Sequence, residues 1–298
     1  MNHREIITGT SINNVTTSVK LKGKEIKIHA ISVGTVAVKK NFKTKKGVGS
    51  LSKINILLDR FYTDYLPIWV WVIEHTEGLI VIDTGENTES LDIDKYLANE
   101  SAFARYQFKH ACKVRIQPED ELNHQLIKVG LKVEDVKLVI LTHLHSDHVD
   151  GLKFFPKQEI LVGEYEFTHP DNCFTTALPS WFKPRRVNFL KNRIEIFNQA
   201  YPITQTEDLL LIPTPGHTLG HNSILFKTDD FDIIFGGDSS YHQDQVLNGE
   251  MAGSNTDYNK TSQTYKNFLD YATLRRTIYL PTHDEDAGNR LASRSFLV

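Results

Sequence analysis

His143, His145, Asp147 and His148 fall within six residues of one another, in the run THLHSDHVDG from Thr142 to Gly151. Imidazole and carboxylate side chains suit zinc and similar divalent ions. The apolar run Val136 to Leu141 leads directly into this cluster and reads as a strand buried on both faces. Residues i and i+2 of a strand share a face, so His143 and His145 point together at its end. Asp147 and His148 follow where the chain must turn. One short loop therefore offers two imidazoles to one ion, and a carboxylate plus an imidazole to another. The bland alternative is a polar loop that merely contains histidines. With thirteen histidines in 298 residues, chance does not readily place three of them in this pattern.

Other strand ends carry further candidates. Leu209 to Ile212 runs into Pro213-Thr214-Pro215-Gly216-His217, where two prolines and a glycine fix a rigid turn. Asp232 to Phe235 runs into Gly236-Gly237-Asp238, whose small residues let backbone approach a site closely. Thr277 to Leu280 runs into Pro281-Thr282-His283. A lone histidine or aspartate after a strand is usually a satisfied surface group. Several such loops in one chain are a constellation, because chemistry is commonly placed on loops at the ends of a rigid scaffold.

The elements that must hold these loops are legible in outline. Residues 1–24 are polar and weakly patterned and read as an N-terminal extension, leaving 25–298 as one domain. Glu25 to Val33 alternates like a first strand. Lys39 to Lys46, KKNFKTKK, reads as a solvated basic loop. Ile68 to Gly85 reads as two strands with a turn at Thr76 to Gly78. Pro118 to Val129 has helical spacing with Gly130 as its stop. Glu159 to Val162 and Ser223 to Phe226 are two more strands, and Asp257 to Thr273 is a late helix. Strands and helices alternate in two halves, which favours a four-layer α/β sandwich within one domain.

Composition excludes several classes. The chain is 40% hydrophobic and 24% charged, with a formal charge of −3, so no global basic surface argues for nucleic acid. Cys112 and Cys173 are too few for a disulfide scaffold and lack metal-site spacing. The N-terminus shows no signal pattern and no apolar stretch is long enough to span a bilayer. The expected compartment is the cytoplasm, and neither nucleic acid nor a membrane is expected as a partner.

The ordered motifs resemble the metallo-β-lactamase superfamily of hydrolases. HLHSDH matches its HxHxDH signature, and Asp83-Thr84-Gly85, Thr214 to His221, Gly237-Asp238 and His283 match the other motifs in order. The resemblance covers roughly Ile28 to Asp284. It implies an αβ/βα sandwich with a site for two Zn²⁺ between its sheets. His143, His145 and His217 would hold one ion, Asp147, His148 and His283 the other, and Asp238 would bridge them. His221 and Asp83 would orient ligands, although a plain core hydrogen bond explains His221 equally well. Such a pair of ions generates a hydroxide near neutral pH and polarises a carbonyl or phosphoryl oxygen.

Within the superfamily, the segments Ile68 to Gly85, Lys128 to His148 and Gly237 to Tyr241 resemble the quorum-quenching N-acyl homoserine lactonases. That resemblance implies a small lactone substrate, a role for the Tyr241 hydroxyl at the carbonyl oxygen, proton transfer by Asp147, and a homodimer. Tyr241 as a surface residue is the alternative. Phe167 to Asn198, with Phe174 and Trp181, departs from the lactonase pattern and reads as a lid over an acyl chain or as a surface helix. Trp69 and Trp71 share one face of a strand; they read as core, with Trp69 as a substrate wall the alternative. Lys183, Arg185 and Arg186 read as solvated charges. A glyoxalase II-type thioesterase and a phosphotriesterase share the ligand set. A non-hydrolytic iron protein of the flavodiiron kind wants Glu where this chain has His145.

Overall fold

Apolar alternation on both faces of the strands builds two sheets and three apolar layers. The computed structural model describes residues 13–47, 50–189 and 195–298. The first sheet contains β1 (Val15–Leu21), β2 (Lys24–Val38), β3 (Leu66–His75), β4 (Gly78–Ile82), β5 (Cys112–Arg115), β6 (Val136–Ile140), β7 (Glu159–Gly163) and β8 (Arg185–Val187). Its order is β1-β2-β3-β4-β6-β7-β8, with β5 also pairing β2. The second sheet contains β9 (Tyr201–Pro202), β10 (Leu209–Pro213), β11 (Asn222–Lys227), β12 (Asp232–Gly237) and β13 (Thr277–Pro281), in the order β13-β12-β11-β10-β9.

Side chains alternate across β3, so its odd and even positions enter different layers. Trp69, Trp71 and Ile73 join Leu211, Phe226, Phe235 and Leu280 between the two sheets. Val70 and Val72 face the other way and meet Leu122 and Leu126 of the helix Leu122–Lys128. On the far side, Tyr265, Phe268 and Tyr271 of the helix Tyr258–Leu274 cover Leu210, Ile212 and Ile234. The result is the expected four-layer sandwich, helix on sheet on sheet on helix.

Register gathers the functional loops at one edge. β4 and β6 are parallel, as are β12 and β13, so Asp83, Thr142, Asp238 and Thr282 all leave the sheets on the same side. β10 and β11 are antiparallel, and their connection carries His217 and His221 to that edge.

Four sequence expectations need correction. Val15–Leu21 is a strand paired with β2 from Val15↔Ala30 to Leu21↔Lys24, with Val19 and Leu21 buried. It is part of the sheet and no extension; residues 1–12 lie outside the described residues. Lys39 to Lys46 is solvated as expected at Lys40, Thr44 and Lys46, but it is not loop throughout. Lys40–Lys43 forms a helical turn, and the Lys45 N–H donates to Met251 O at 2.8 Å. Among its described residues, Phe167 to Asn198 forms no surface helix. Its described residues hold the end of a short helix, Glu164–Thr168, then turns and β8. The expected helix at Pro118 to Val129 is a 3-10 turn, Pro118–Asp120, followed by Leu122–Lys128.

Candidate metal centre

The loop after β6 is shaped from below by Asp83. This residue follows β4 in the left-handed region, at φ 58°. Its carboxylate accepts the Thr142 N–H at 2.8 Å, the Thr142 hydroxyl at 2.8 Å and His148 Nδ1–H at 2.8 Å. The neighbouring Thr84 N–H and hydroxyl both donate to His148 O, at 2.8 and 2.9 Å. Gly151 closes the loop against the same residue. A Cβ there would lie 2.2 Å from Thr84 O, so only glycine fits.

These contacts decide which ring nitrogens face the cavity. His148 spends Nδ1–H on Asp83, leaving Nε2 bare. His145 donates Nε2–H to Asp171 O at 3.0 Å, leaving Nδ1 bare. Thr142 gives its hydroxyl proton to Asp83, so its oxygen accepts from His143 Nδ1 at 3.0 Å and His143 Nε2 is bare. His283 donates Nδ1–H to Pro67 O at 2.8 Å, which again leaves Nε2 bare. Such partners fix tautomer and orientation, as they do at metal sites in general.

The bare atoms converge. His143 Nε2 and His217 Nε2 each stand 3.0 Å from His145 Nδ1. His283 Nε2 lies 3.2 Å from Asp147 Oδ2 and 3.3 Å from Asp238 Oδ2. His148 Nε2 faces Asp238 Oδ1 at 3.2 Å and Asp147 Oδ1 at 3.8 Å. His217 Nε2 lies 3.5 Å from Asp238 Oδ2. The seven candidate ligands selected from sequence thus form three overlapping sets: His143, His145, His217; His143, His148, Asp238; and Asp147, His148, His283. Lone pairs aimed at lone pairs repel unless a cation or a proton lies between them. His148 Nε2 and Asp238 Oδ1 are buried with no hydrogen-bond partner. The donor set fits divalent metal.

Electrostatics divide the site in two. Burial pushes the pKa values of His143, His145 and His217 below the ordinary imidazole value, so these rings stay neutral. Burial also opposes charge on His148 and His283. Asp238 leads the carboxylates that outweigh it, raising His148 well above the usual range and His283 to about 10. Against burial, His148 and His283 hold Asp147 down to about 2, and His283 and His148 hold Asp238 well below the usual carboxylate range. The half around Asp147 and Asp238 therefore holds protons where it holds no metal. The other half presents three neutral nitrogens.

Tyr241 lies beside this second half. Its ring stacks on His283 with centroids 5.5 Å apart, and its N–H donates to Gln245 Oε1 at 2.8 Å. Burial, reinforced by Asp238, pushes the phenol pKa far up, so the hydroxyl keeps its proton at neutral pH. It is no surface residue, being 6% exposed.

His221 is not placed as a ligand. Its Nε2 accepts the Asp238 N–H at 3.0 Å, and its Nδ1 meets Thr214 Oγ1 at 2.9 Å. It fixes the backbone from which Asp238 projects. Trp69 as a substrate wall is a correction: the ring is 1% exposed in the inter-sheet core, and its Nε1–H donates to Asp284 O at 2.8 Å. Both faces of β3 are buried, so alternation alone did not reveal which side the indoles take. Phe174 packs edge-on against Phe108, and Trp181 packs against the cluster that contains Leu144. Arg185 and Arg186 pair with Glu159 and Glu164.

Sequence reasoning missed three supporting groups. Glu166 is fully buried and accepts the Leu144 N–H at 3.0 Å and the Thr218 hydroxyl at 2.6 Å, tying the His143/His145 loop to the His217 loop. Burial pushes its pKa to about 7. Glu86 and Asp150 are buried carboxyls, both raised by burial, and Asp150 accepts the Tyr96 hydroxyl at 2.6 Å. Only the acidic residue after Asp-Thr-Gly could have drawn attention to Glu86. Glu166 is distant in sequence and carries no local signal.

A sandwich with this ligand set at the edge of its sheets defines a class of metal-dependent hydrolase. The model of the metallo-beta-lactamase superfamily matches residues 63–283, and the chain belongs to that superfamily. Among its relatives, an N-acyl homoserine lactonase of a Bacillus species is 30% identical over 186 residues, 61% of this chain and 68% of the relative. The N-acyl homoserine lactonase AttM of Agrobacterium fabrum (strain C58) is 26% identical over 278 residues, 88% of this chain and 95% of the relative. A solved N-acyl homoserine lactone hydrolase, with the product N-hexanoyl-L-homoserine bound at its catalytic metal center, is similar in fold. Its TM-score is 0.69 at 20% identity, over 90% of this chain and 94% of that one.

Proposed function

We propose that this enzyme opens the lactone ring of N-acyl homoserine lactones, a quorum-quenching activity, at a centre for two Zn²⁺ or similar ions. His143, His145 and His217 would hold one ion, Asp147, His148 and His283 the other, with Asp238 shared. Bound there, the ions supply a water of lowered pKa and Lewis acidity toward a carbonyl oxygen.

The residues then divide the work. The observation that carries the reading is Tyr241, stacked on His283 with a hydroxyl that stays protonated. It donates to the lactone carbonyl oxygen as negative charge grows there, the place where a positioned donor counts most. Asp147 keeps 19% of its side-chain surface exposed against 6% for Asp238, so it is the carboxylate able to exchange protons with substrate. As water oxygen bonds to the carbonyl carbon, Asp147 takes the water's proton. As the ring C–O bond breaks, it passes that proton to the leaving alkoxide. The product is an open hydroxy acid. The relatives named as lactonases support this choice of ester. Phe174 and Trp181 stand in the segment that would wall the acyl tail, next to a mixed pocket of about 290 Å³ lined by Leu144, Phe167, Leu178 and Phe182 together with Thr175 and Ser180.

Purified enzyme tested on acyl homoserine lactones, a glutathione thioester, a phosphotriester and a cephalosporin should hydrolyse the lactones with the highest kcat/KM by far. A thioester or phosphotriester in first place would leave the metal-dependent hydrolase standing and remove the lactonase reading.

A further inference from the structure

Between Val38 and Phe61 the sequence carries six lysines and Arg60 against one acidic residue, Asp59, in a chain whose net charge is −3. Asp59 is half-buried and its carboxylate is occupied within the same segment. Its carboxylate accepts the Asn41 N–H at 2.7 Å and the Phe61 N–H at 3.0 Å. Lys40 and Lys46 are exposed and Lys43 is half-buried. The helix Ser50–Leu58 follows the basic run. It buries Ser52 and Ile56 and presents Leu51, Ile54 and Leu58 to solvent, 60%, 47% and 71% exposed. These positions are spaced i, i+3, i+7 and make one apolar stripe. Phe61, just beyond, is 70% exposed.

The face sits beside the metal centre. Lys43 O accepts Gln245 Nε2–H at 2.7 Å, and Gln245 Oε1 accepts the Tyr241 N–H at 2.8 Å. Ser52 Oγ meets the Tyr258 hydroxyl at 3.2 Å, which fixes the buried side of the helix.

We propose that this face docks the enzyme on an anionic lipid bilayer, with Leu51, Ile54, Leu58 and Phe61 entering the interfacial region and Lys40, Lys43 and Lys46 meeting lipid phosphates. Apolar stripe and basic flank together are the composition of an interfacial helix. Basic residues near an anionic leaflet each add about five-fold in binding. A second copy of this chain suits the face less well. A two-fold interface sets a patch against itself, and here it would bring two dense positive patches together. Nucleic acid would meet the lysines and leave the apolar stripe without a partner. The sequence-based expectation of no membrane partner rested on the lack of a spanning segment, and an interfacial contact needs none. The docking stands independently of which ester the site hydrolyses.

Co-sedimentation of the metal-loaded enzyme with phosphatidylcholine vesicles, and with vesicles containing about a third phosphatidylglycerol, tests the proposal. Binding is expected to the anionic vesicles only and to weaken with added salt. The variant Lys40→Glu/Lys43→Glu/Lys46→Glu should lose on the order of a hundredfold in affinity. Leu51→Ser/Leu58→Ser should lose about tenfold or more, with circular dichroism and metal content of both variants unchanged. Any of three results overturns the proposal: no binding to anionic vesicles at low salt, binding untouched by either variant, or an oligomer that Leu51→Ser/Leu58→Ser dissociates while vesicles bind neither form.

Discussion

Replacing Asp83 by Asn should uncouple the candidate metal centre from its support without replacing any candidate ligand. Asp83 collects three donors, two from Thr142 and one from His148, each at 2.8 Å. An amide offers one acceptor oxygen where the carboxylate offered two. If the amide nitrogen takes the place of Oδ2, His148 Nδ1–H faces another donor. The ring then flips its proton to Nε2 and blocks the lone pair that faces Asp238. If the nitrogen takes the place of Oδ1, the buried Thr142 N–H is orphaned, which costs roughly 1–3 kcal/mol. Loss of an orienting partner typically weakens metal binding about 10–100-fold, or about 1.4–2.7 kcal/mol. The ion held with His148 should suffer most, and the one held by His145 and His217 least. Chelator competition on the loaded protein reads both affinities. Two affinities equal to wild type, at an unchanged melting temperature, would refute the claim that Asp83 sets the His148 tautomer.

Three further outcomes follow from the same geometry. Tyr241→Phe should lower kcat about tenfold or more with metal content intact, since removal of one oxyanion donor generally costs about 10²–10³ and bound metal covers part of it; unchanged steady-state kinetics would make the stacked ring merely structural. Gly151→Ala places a Cβ 2.2 Å from Thr84 O, so thermal melting should show a loss of roughly 1–3 kcal/mol, and an unaltered melt would mean the loop yields freely. Glu166 has a folded pKa raised to about 7, so the native state holds a proton that the unfolded chain releases near pH 4, and metal-free stability falls as pH rises from there to about 7. Glu166→Gln can keep both hydrogen bonds with the Thr218 hydroxyl reversed. It should therefore match wild type at acid pH and exceed it by up to about 2–3 kcal/mol above pH 7; equal urea midpoints at pH 8 would remove the burial argument.

The ligand set was legible because it is local. HLHSDH compresses four candidate ligands into one short loop, and the remaining three each follow an apolar run too short for a helix. The inter-sheet layers were legible for the same reason. Val15–Leu21 was not, since Thr16, Thr17 and Ser18 dilute its alternation and its stability comes from pairing with β2. The helix Ala102–Ala111 escaped notice because none of its residues is buried, with Phe103 and Tyr106 68% and 62% exposed. Its apolar spacing marks no core face. Trp69 was ambiguous because a strand buried on both sides carries no label for the side that faces the site. Glu166, through two hydrogen bonds, and the Asp171 carbonyl, through one to His145, act across long stretches of chain, and sequence has no period for that.

Titration of metal-free enzyme with Zn²⁺, followed by proton release from an N-acyl homoserine lactone, tests the central claim most directly. Ring opening yields a carboxylic acid that ionises at neutral pH. Activity should climb until about two ions are bound per chain, as a two-metal centre requires. A plateau at one ion, or no proton release from a fully loaded enzyme, would contradict the account.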